Sequence, residues 1–177
     1  GVPAPGAVSS GPASGVRGEI RCFGGFTVLG VGRREPMRFW TAKSEELLAF
    51  LIVHSSENVS KWTLCELLWP GWEPEKAEQN LHSTVYRLKK TLADYGFPPI
   101  VASQRGSYRL AADEAFVCDW QLLEHVRPEQ DDLPALERAA AAYRGPLYAD
   151  KDYAWAEPVR LKAERKFSEL SKVLAER

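Results

Sequence analysis

The segment between Pro74 and Gly96 carries the clearest hydrophobic pattern of the chain. Its apolar residues follow one another at intervals of 4, 4, 3 and 4 positions: Ala77, Leu81, Val85, Leu88 and Leu92. This spacing predicts a helix with one buried stripe, because side chains three and four residues apart lie on the same face. The opposite face carries cations, polar groups and one aromatic ring: Lys76, Gln79, Ser83, Tyr86, Arg87 and Lys90. Such a face fits a DNA major groove, and it is equally typical of an ordinary solvated helix surface.

Shorter patterns before this segment predict strands and two further helices. Alternating apolar and polar residues predict two short strands between Ile20 and Leu29, and a third strand is expected at Met37 to Trp40. A helix is predicted from about Ala42 to His54, with Thr41 as its N-cap. A second helix is expected to begin after Ser60, another N-cap residue, and to end at the following Pro-Gly pair.

A β-hairpin is predicted after the third helix. Ile100-Val101 and Tyr108 to Leu110 are short strand patterns on either side of a polar turn that contains glycine. The order of strands, three helices and a hairpin is typical of a winged helix-turn-helix, in which the hairpin is the wing. Arg105 at the tip would suit a minor groove or a phosphate group.

From about Asp113 onward the pattern predicts helices alone. A short helix around Trp120 has Asp119 as a candidate N-cap, and longer stripes follow at 133–143 and 155–174. Helix hairpins with aromatic residues at their crossing points resemble tetratricopeptide-like (TPR-like) solenoids, which need about three repeats to be stable. Fewer repeats fit here, so the chain is expected to be a fragment.

These patterns divide the chain into three parts. Gly1 to Gly15 contains only Gly, Pro, Ala, Ser and Val, which predicts a flexible linker or an expression remnant over residues 1–17. Residues 18–112 are expected to form the winged helix, and residues 113–177 a partial helical domain. The predicted fold class is therefore α+β, with an N-terminal antiparallel sheet, three helices and a C-terminal hairpin wing, followed by an all-α TPR-like segment.

Charge is distributed unevenly between the last two parts. Residues 17–112 hold 13 basic and 10 acidic residues, whereas residues 113–177 hold 10 basic and 14 acidic residues, and the net charge of the chain is −1. A mildly basic part followed by an acidic part suggests two modules with different partners. The difference is small and does not identify nucleic acid by itself.

Several classes of protein are disfavoured by what the sequence lacks. No stretch approaches the roughly 18 apolar residues of a membrane span, and the first residues do not resemble a signal peptide. The sequence shows no metal-binding spacing of histidines, phosphate loop or nucleophile elbow, so neither an enzyme nor a cofactor or metal site is expected. The odd number of cysteines favours packing in a reducing cytoplasm: Cys22, Cys65 and Cys118.

Motifs in the expected order resemble the OmpR-type winged helix of SARP-type bacterial transcriptional regulators. They are Ile20–Gly24, Lys43–Leu51, Leu67–Pro70, Asn80–Leu92 and Tyr108–Leu110. The tail is similar to the bacterial transcriptional activation domain that follows the winged helix in this family, through the motifs Tyr143–Tyr148 and Tyr153–Glu157. The resemblance covers nearly everything from Glu19 to the end of the chain.

The resemblance implies a four-stranded antiparallel sheet before the first helix and a regulator that binds double-stranded DNA. It also implies a receiver domain in some relatives, as in two-component response regulators, and homodimers on direct repeats. RNA polymerase or another protein would bind the helical tail. A protein-interaction module built on the same scaffold remains the alternative from the residues alone.

Carried over by position, a set of residues would face bases or phosphates. From the third helix it includes Gln79, Asn80, Ser83, Thr84, Arg87 and Lys89 or Lys90, and from the wing Gln104 and Arg105. The polar face of the helix adds Lys76 and Tyr86. Thr84 lies nearer the apolar stripe than the other members. Lysine also lacks the bidentate geometry that arginine offers to guanine, so phosphate anchoring is expected to be important here.

Overall fold

The structure is a computed structural model that describes residues 17–55, 57–111 and 116–177. The predicted linker at Gly1 to Gly15 lies outside the described residues. The described chain forms two compact units. The first contains residues 17–19 and Leu29–Val117, and the second contains Ile20–Val28 and Cys118–Arg177.

Strands and helices combine in an α+β arrangement, as the sequence predicts. In chain order the elements are β1 (Gly18–Arg21), β2 (Thr27–Leu29), α1 (Ala42–Val53), β3 (Val59–Ser60), α2 (Lys61–Leu68), α3 (Pro74–Asp94), β4 (Val101–Gln104), β5 (Ser107–Leu110), β6 (Phe116–Cys118), α4 (Asp119–His125), α5 (Leu133–Ala142) and α6 (Glu157–Ala175). A short 3-10 helix at Ala154–Ala156 precedes α6. The strands form two sheets, ordered β2-β1-β6 and β3-β5-β4.

Helices α1, α2 and α3 form the core of the first unit. Both predicted N-caps are confirmed, because Thr41 Oγ1 accepts a hydrogen bond from Ser44 N–H at 3.1 Å and Ser60 Oγ accepts one from Trp62 N–H at 3.1 Å. The apolar stripe of α3 is buried throughout, as its period requires. Its burial against α1 and α2 fixes which face of α3 points outward.

The wing is a tight antiparallel hairpin. β4 and β5 pair with Gln104 opposite Ser107, and the two residues between them, Arg105 and Gly106, have φ angles of 47° and 79°. Two consecutive positive φ angles in a two-residue loop define a type I′ turn, whose twist matches that of paired strands.

An additional strand holds the wing against α2. β3 pairs with β5, with Val59 opposite Tyr108, and the backbone N–H of Lys61 donates to the carbonyl of Gly106 at 2.9 Å. The sequence pattern did not reveal this two-residue strand. The wing tip is consequently fixed beside the first turn of α2.

The sheet before α1 differs from the expectation in two respects. Met37 to Trp40 is not a strand. The backbone N–H of Arg38 donates to the hydroxyl of Tyr95 at 3.4 Å instead of to a neighbouring strand, and the side chain of Met37 is buried. In the described residues before α1 the strands are β1 and β2, with an isolated bridge between Leu29 and Pro36. The described residues before α1 therefore supply two strands to this sheet, not the four that the resemblance implies, and its third strand is β6.

The second unit is helical but includes an earlier segment of the chain. Asp119 does not cap α4; its carboxylate accepts the backbone N–H groups of Cys22, at 2.7 and 2.9 Å, and of Phe23, at 3.0 Å. Residues 20–28 therefore group with the tail.

Aromatic packing joins the helices of this unit as the tail pattern predicts. The rings of Tyr143 and Phe167 stack with centroids 4.3 Å apart, and Leu170 and Ala163 of α6 are buried. Leu133, at the start of the stripe expected at 133–143, is 41 % exposed. Leu136 of the same stripe is buried, together with Ala139 and Ala142. Within the described ranges, no helix combines the length and apolar character needed to cross a membrane.

Candidate nucleic-acid interface

The outward face of α3 presents most of the residues predicted from its period. Six of the predicted side chains are exposed: Lys76, Gln79, Ser83, Tyr86, Lys89 and Lys90. Asn80 and Arg87 are half-buried at the edges of this face. Together they form a surface of cations, amides, a hydroxyl and an aromatic ring on one side of a 21-residue helix.

Thr84 does not share this exposure. Its side chain is 6 % exposed and lies with the buried stripe between Leu81 and Leu88. The resemblance placed it among the DNA-facing residues, whereas the helical period placed it near the core. Its burial leaves its hydroxyl poorly placed to contact a nucleic acid.

Arg87 stacks on an aromatic ring that is distant from it in the sequence. The guanidinium carbon lies 5.1 Å from the ring centroid of Trp40, which is 56 % exposed. A cation over an indole face is attracted by the ring quadrupole, and the stacking also restricts the side chain. Trp40, Arg87 and the exposed Tyr86 line a shallow concavity beside α3. Only the fold of the segment before α1 brings Trp40 to this position.

The wing continues the polar surface beyond α3. Lys89 Nζ donates to Ser103 Oγ at 2.9 Å, which connects the helix to β4. Gln104 and Arg105, the two predicted wing residues, are both exposed at the hairpin tip. The structure thus brings the helix cations and the wing cation to the surface of one unit.

An ion pair neutralises one acidic residue of α3. Lys61 Nζ donates to Glu78 Oε2 at 2.6 Å, joining the start of α2 to the first half of α3. This hydrogen bond lowers the pKa of Glu78 and raises the pKa of Lys61 relative to their ordinary values. His82 Nε2 lies 3.8 Å from the same carboxylate oxygen.

The second unit contains a buried polar cluster. One ligand atom each from Cys22, Cys118 and Asp119 lies within 4.8 Å of the others. Burial raises the pKa of the Cys22 thiol, and burial also raises that of Asp119 despite the N–H groups of Phe23 and Cys22 and the charge of Arg144, which lower it. Because the Asp119 carboxylate is occupied by backbone N–H groups, we interpret the cluster as a hydrogen-bonded anchor beside two packed thiols.

The fold and the exposed face of α3 define a winged helix-turn-helix of the type found in transcriptional regulators. Residues 38–110 match the family described as "Transcriptional regulatory protein, C terminal". The match spans α1, α2, α3 and the wing.

Two curated regulators and one solved structure are similar to the chain. Transcriptional regulatory protein EmbR of Mycobacterium tuberculosis is 28% identical over 70% of this chain and 35% of its own length. Transcriptional regulatory protein MoaR1 of the same species is 27% identical over 62% of this chain and 39% of its own length. The structure of Mycobacterium tuberculosis EmbR in complex with a low-affinity phosphopeptide has 25% identity and a TM-score of 0.73, covering 90% of this chain and 45% of that one.

These similarities confirm the resemblance to SARP-type regulators and the α+β fold class. The matched family is one of transcriptional regulators rather than enzymes, in agreement with the expectation. The chain spans about a third of the length of the curated relatives it matches.

Proposed function

We propose that this chain is the DNA-binding part of a cytoplasmic transcriptional regulator that reads double-stranded DNA in a sequence-specific manner. Helix α3 lies in the major groove, and the wing contacts the adjacent minor groove or phosphates. The observation that carries the proposal is the outward face of α3, where Arg87 is held over the ring of Trp40. The exposed wing cation Arg105 belongs to the same unit.

Individual residues have different roles in this proposal. Gln79, Ser83 and Arg87 face the base edges, with Asn80 at the border of the contact. The lysines at 76, 89 and 90 are point charges suited to phosphates, as is Arg105 at the wing tip. Gln104 and Tyr86 contact the sugar-phosphate backbone at the edges of the groove.

The remaining parts of the proposal concern the larger protein. We assign DNA binding to residues 18–112 and protein contacts, with RNA polymerase or another partner, to residues 113–177. A second copy on a direct repeat would add the affinity that one helix with few cations lacks. In some relatives a receiver domain controls such a regulator, and we extend this arrangement to the present protein.

The test measures binding of the 177-residue chain to duplex DNA selected from a random library. Fluorescence anisotropy at several salt concentrations gives the affinity and its salt slope. Arg87→Ala should weaken binding and reduce discrimination between the selected duplex and a scrambled one. Arg105→Ala should weaken binding to both duplexes equally. It should also lower the slope of log affinity against log salt concentration by about 0.9, the value for one phosphate contact.

A matched control is Arg138→Ala, which removes an exposed arginine of α5 in the second unit. All three variants should melt within a few degrees of the wild type, because none of the side chains lies in the core and Arg87→Ala loses only its contact with Trp40. If Arg87→Ala and Arg105→Ala bind the selected duplex with the affinity of the control at about 50 mM salt, the major-groove assignment is wrong. The protein-interaction module then becomes the better hypothesis.

A further inference from the structure

The segment Gly32–Trp40, between β2 and α1, contains three arginines to which the proposed function assigns no role. Arg33, Arg34 and Arg38 lie within it, and Glu35 is its one acidic residue. We call Gly32–Trp40 the arginine segment. The sequence pattern predicts a strand at its end, over Met37 to Trp40. In the structure the segment is irregular and lies mostly at the surface of the first unit.

The arginine segment is attached to the C-terminal end of α3. Arg33 Nη2 donates to the carbonyl of Asp94 at 2.9 Å, and its guanidinium lies 4.8 Å from the ring centroid of Tyr95. The hydroxyl of Tyr95 accepts the backbone N–H of Arg38. At the far end of the segment Trp40 lies under Arg87. The segment therefore runs alongside α3 from its last turn back to Arg87.

This path follows the same face of α3 that we assign to DNA. Asp94 comes seven residues after Arg87, which is close to two full turns, so the two positions share one side of the helix about 10 Å apart along its axis. A duplex seated on that face would have a phosphate backbone at the edge of the groove, beside the arginine segment.

Two of the arginines have no partner in the part of the chain that the structure describes. The guanidinium groups of Arg34 and Arg38 make no hydrogen bond or ion pair there, and Glu35 does not pair with either of them. Both side chains are exposed on the rim of a concavity of about 430 Å³ that Arg33 and Tyr95 also line. Unpaired guanidinium groups that line the same concave surface suit an anion with several oxygen atoms.

We propose that the arginine segment binds the sugar-phosphate backbone of duplex DNA beside the groove that α3 occupies. Arg34 and Arg38 contact phosphates, and Arg33 is a positioning residue that holds the segment against α3. The inference rests on the proposed function, because the phosphates belong to the same duplex. Phosphate contacts carry no base information, so this site adds affinity and register without adding sequence preference.

The experiment compares the double variant Arg34→Ala/Arg38→Ala with Arg138→Ala/Arg165→Ala in the full 177-residue chain. The control removes the same charge from exposed positions on α5 and α6. For the first variant we expect the salt slope to fall by about 1.8, because two phosphate contacts are lost. The affinity at about 50 mM salt should fall on the order of tenfold. The loss should be equal on the selected and the scrambled duplex.

Glu35→Gln provides a test with the opposite sign, since removal of the single acid should tighten binding to both duplexes. Melting temperatures of all variants should match that of the wild type, because the altered side chains are exposed. This keeps a change in DNA binding separate from a change in folding.

The outcomes separate this inference from the proposed function. If the wild type binds DNA and Arg87→Ala weakens it, but Arg34→Ala/Arg38→Ala behaves as the control does, the arginine segment is not a DNA contact and the proposed function stands. If the wild type itself shows no salt-dependent binding, the proposed function fails first. A phosphoserine decapeptide that binds through Arg34 and Arg38, with an unchanged DNA slope, would overturn the inference in favour of a phosphorylated protein partner.

Discussion

Arg105 combines an unfavourable backbone conformation with a position suited to DNA. It occupies the first position of the type I′ turn with φ 47°, where asparagine or glycine is the usual residue. A left-handed conformation costs a non-glycine residue about 1 kcal/mol. A long cation retained at this position is more easily understood from binding than from folding.

The substitution Arg105→Asn should separate these two effects. Asparagine tolerates the left-handed region, so the free energy of unfolding measured in urea should rise by about 0.5–1 kcal/mol. Loss of the cation should weaken DNA binding and lower the salt slope by about 0.9. Arg105→Gln is the matched control, because it removes the charge but gains no stability. An Asn variant that binds DNA with the wild-type slope would show that the residue is not retained for its charge. An Asn variant that is less stable than the wild type would show that the left-handed turn does not strain Arg105.

The period of α3 was sufficient to predict which of its residues face outward. Gln79, Ser83 and Lys90 are exposed because the stripe opposite them is buried. The position of Trp40 under Arg87 could not be predicted in this way. It depends on how the segment before α1 packs on α3, and no local period records such a tertiary contact.

At the scale of elements, the arrangement of α2, α3 and the wing depends on contacts that sequence patterns reveal only in part. The helices and the hairpin were predictable because each repeats a pattern over several residues. β3 has two residues and shows no repeat, although it ties the wing to α2. Met37 to Trp40 has the composition of a strand. The backbone N–H of Arg38 nevertheless donates to the hydroxyl of Tyr95 and not to a neighbouring strand.

The ion pair between Lys61 and Glu78 should make the contact between α2 and α3 dependent on pH. The hydrogen bond from Lys61 lowers the pKa of Glu78, so its contribution to stability is present above the ordinary value of 4.5 and is lost as pH falls through the lowered value. The pKa of Lys61 is raised, so its contribution is present below 10.5 and is lost at higher pH.

Glu78→Gln should therefore lower the melting temperature at pH 7 by at most a few degrees. The difference from the wild type should shrink as the pH is lowered from 7 to 3, because the wild-type carboxylate becomes protonated below its ordinary value of 4.5. Glu66→Gln, at an exposed position of α2, is the control and should change little at either pH. Circular dichroism across this range gives the comparison. A difference that persists unchanged at pH 3 would mean that Glu78 acts through packing rather than through its charge.

At the scale of the whole molecule, one early segment of the chain packs with the tail. Residues 20–28 precede the winged helix in sequence but belong to the second unit. The hydrophobic pattern does not predict this grouping, because Asp119 has the position of an ordinary N-cap in the sequence. In the structure its carboxylate binds two backbone N–H groups almost a hundred residues earlier in the chain. A long-range hydrogen bond of this kind replaces a local one without altering the hydrophobic pattern.

Asp119→Asn should show how far the second unit depends on this anchor. Asparagine keeps the shape of the side chain but turns one acceptor oxygen into a donor, which would face a backbone N–H of Cys22 or Phe23. With the side chain 4 % exposed, water cannot replace the lost bond, and the free energy of unfolding should fall by about 3 kcal/mol. Asp152→Asn, at an exposed position of the same unit, should change it by less than about 0.5 kcal/mol. Equal stability of the two variants would mean that apolar packing alone holds residues 20–28, and that the tail could then be separated from them without loss of its fold.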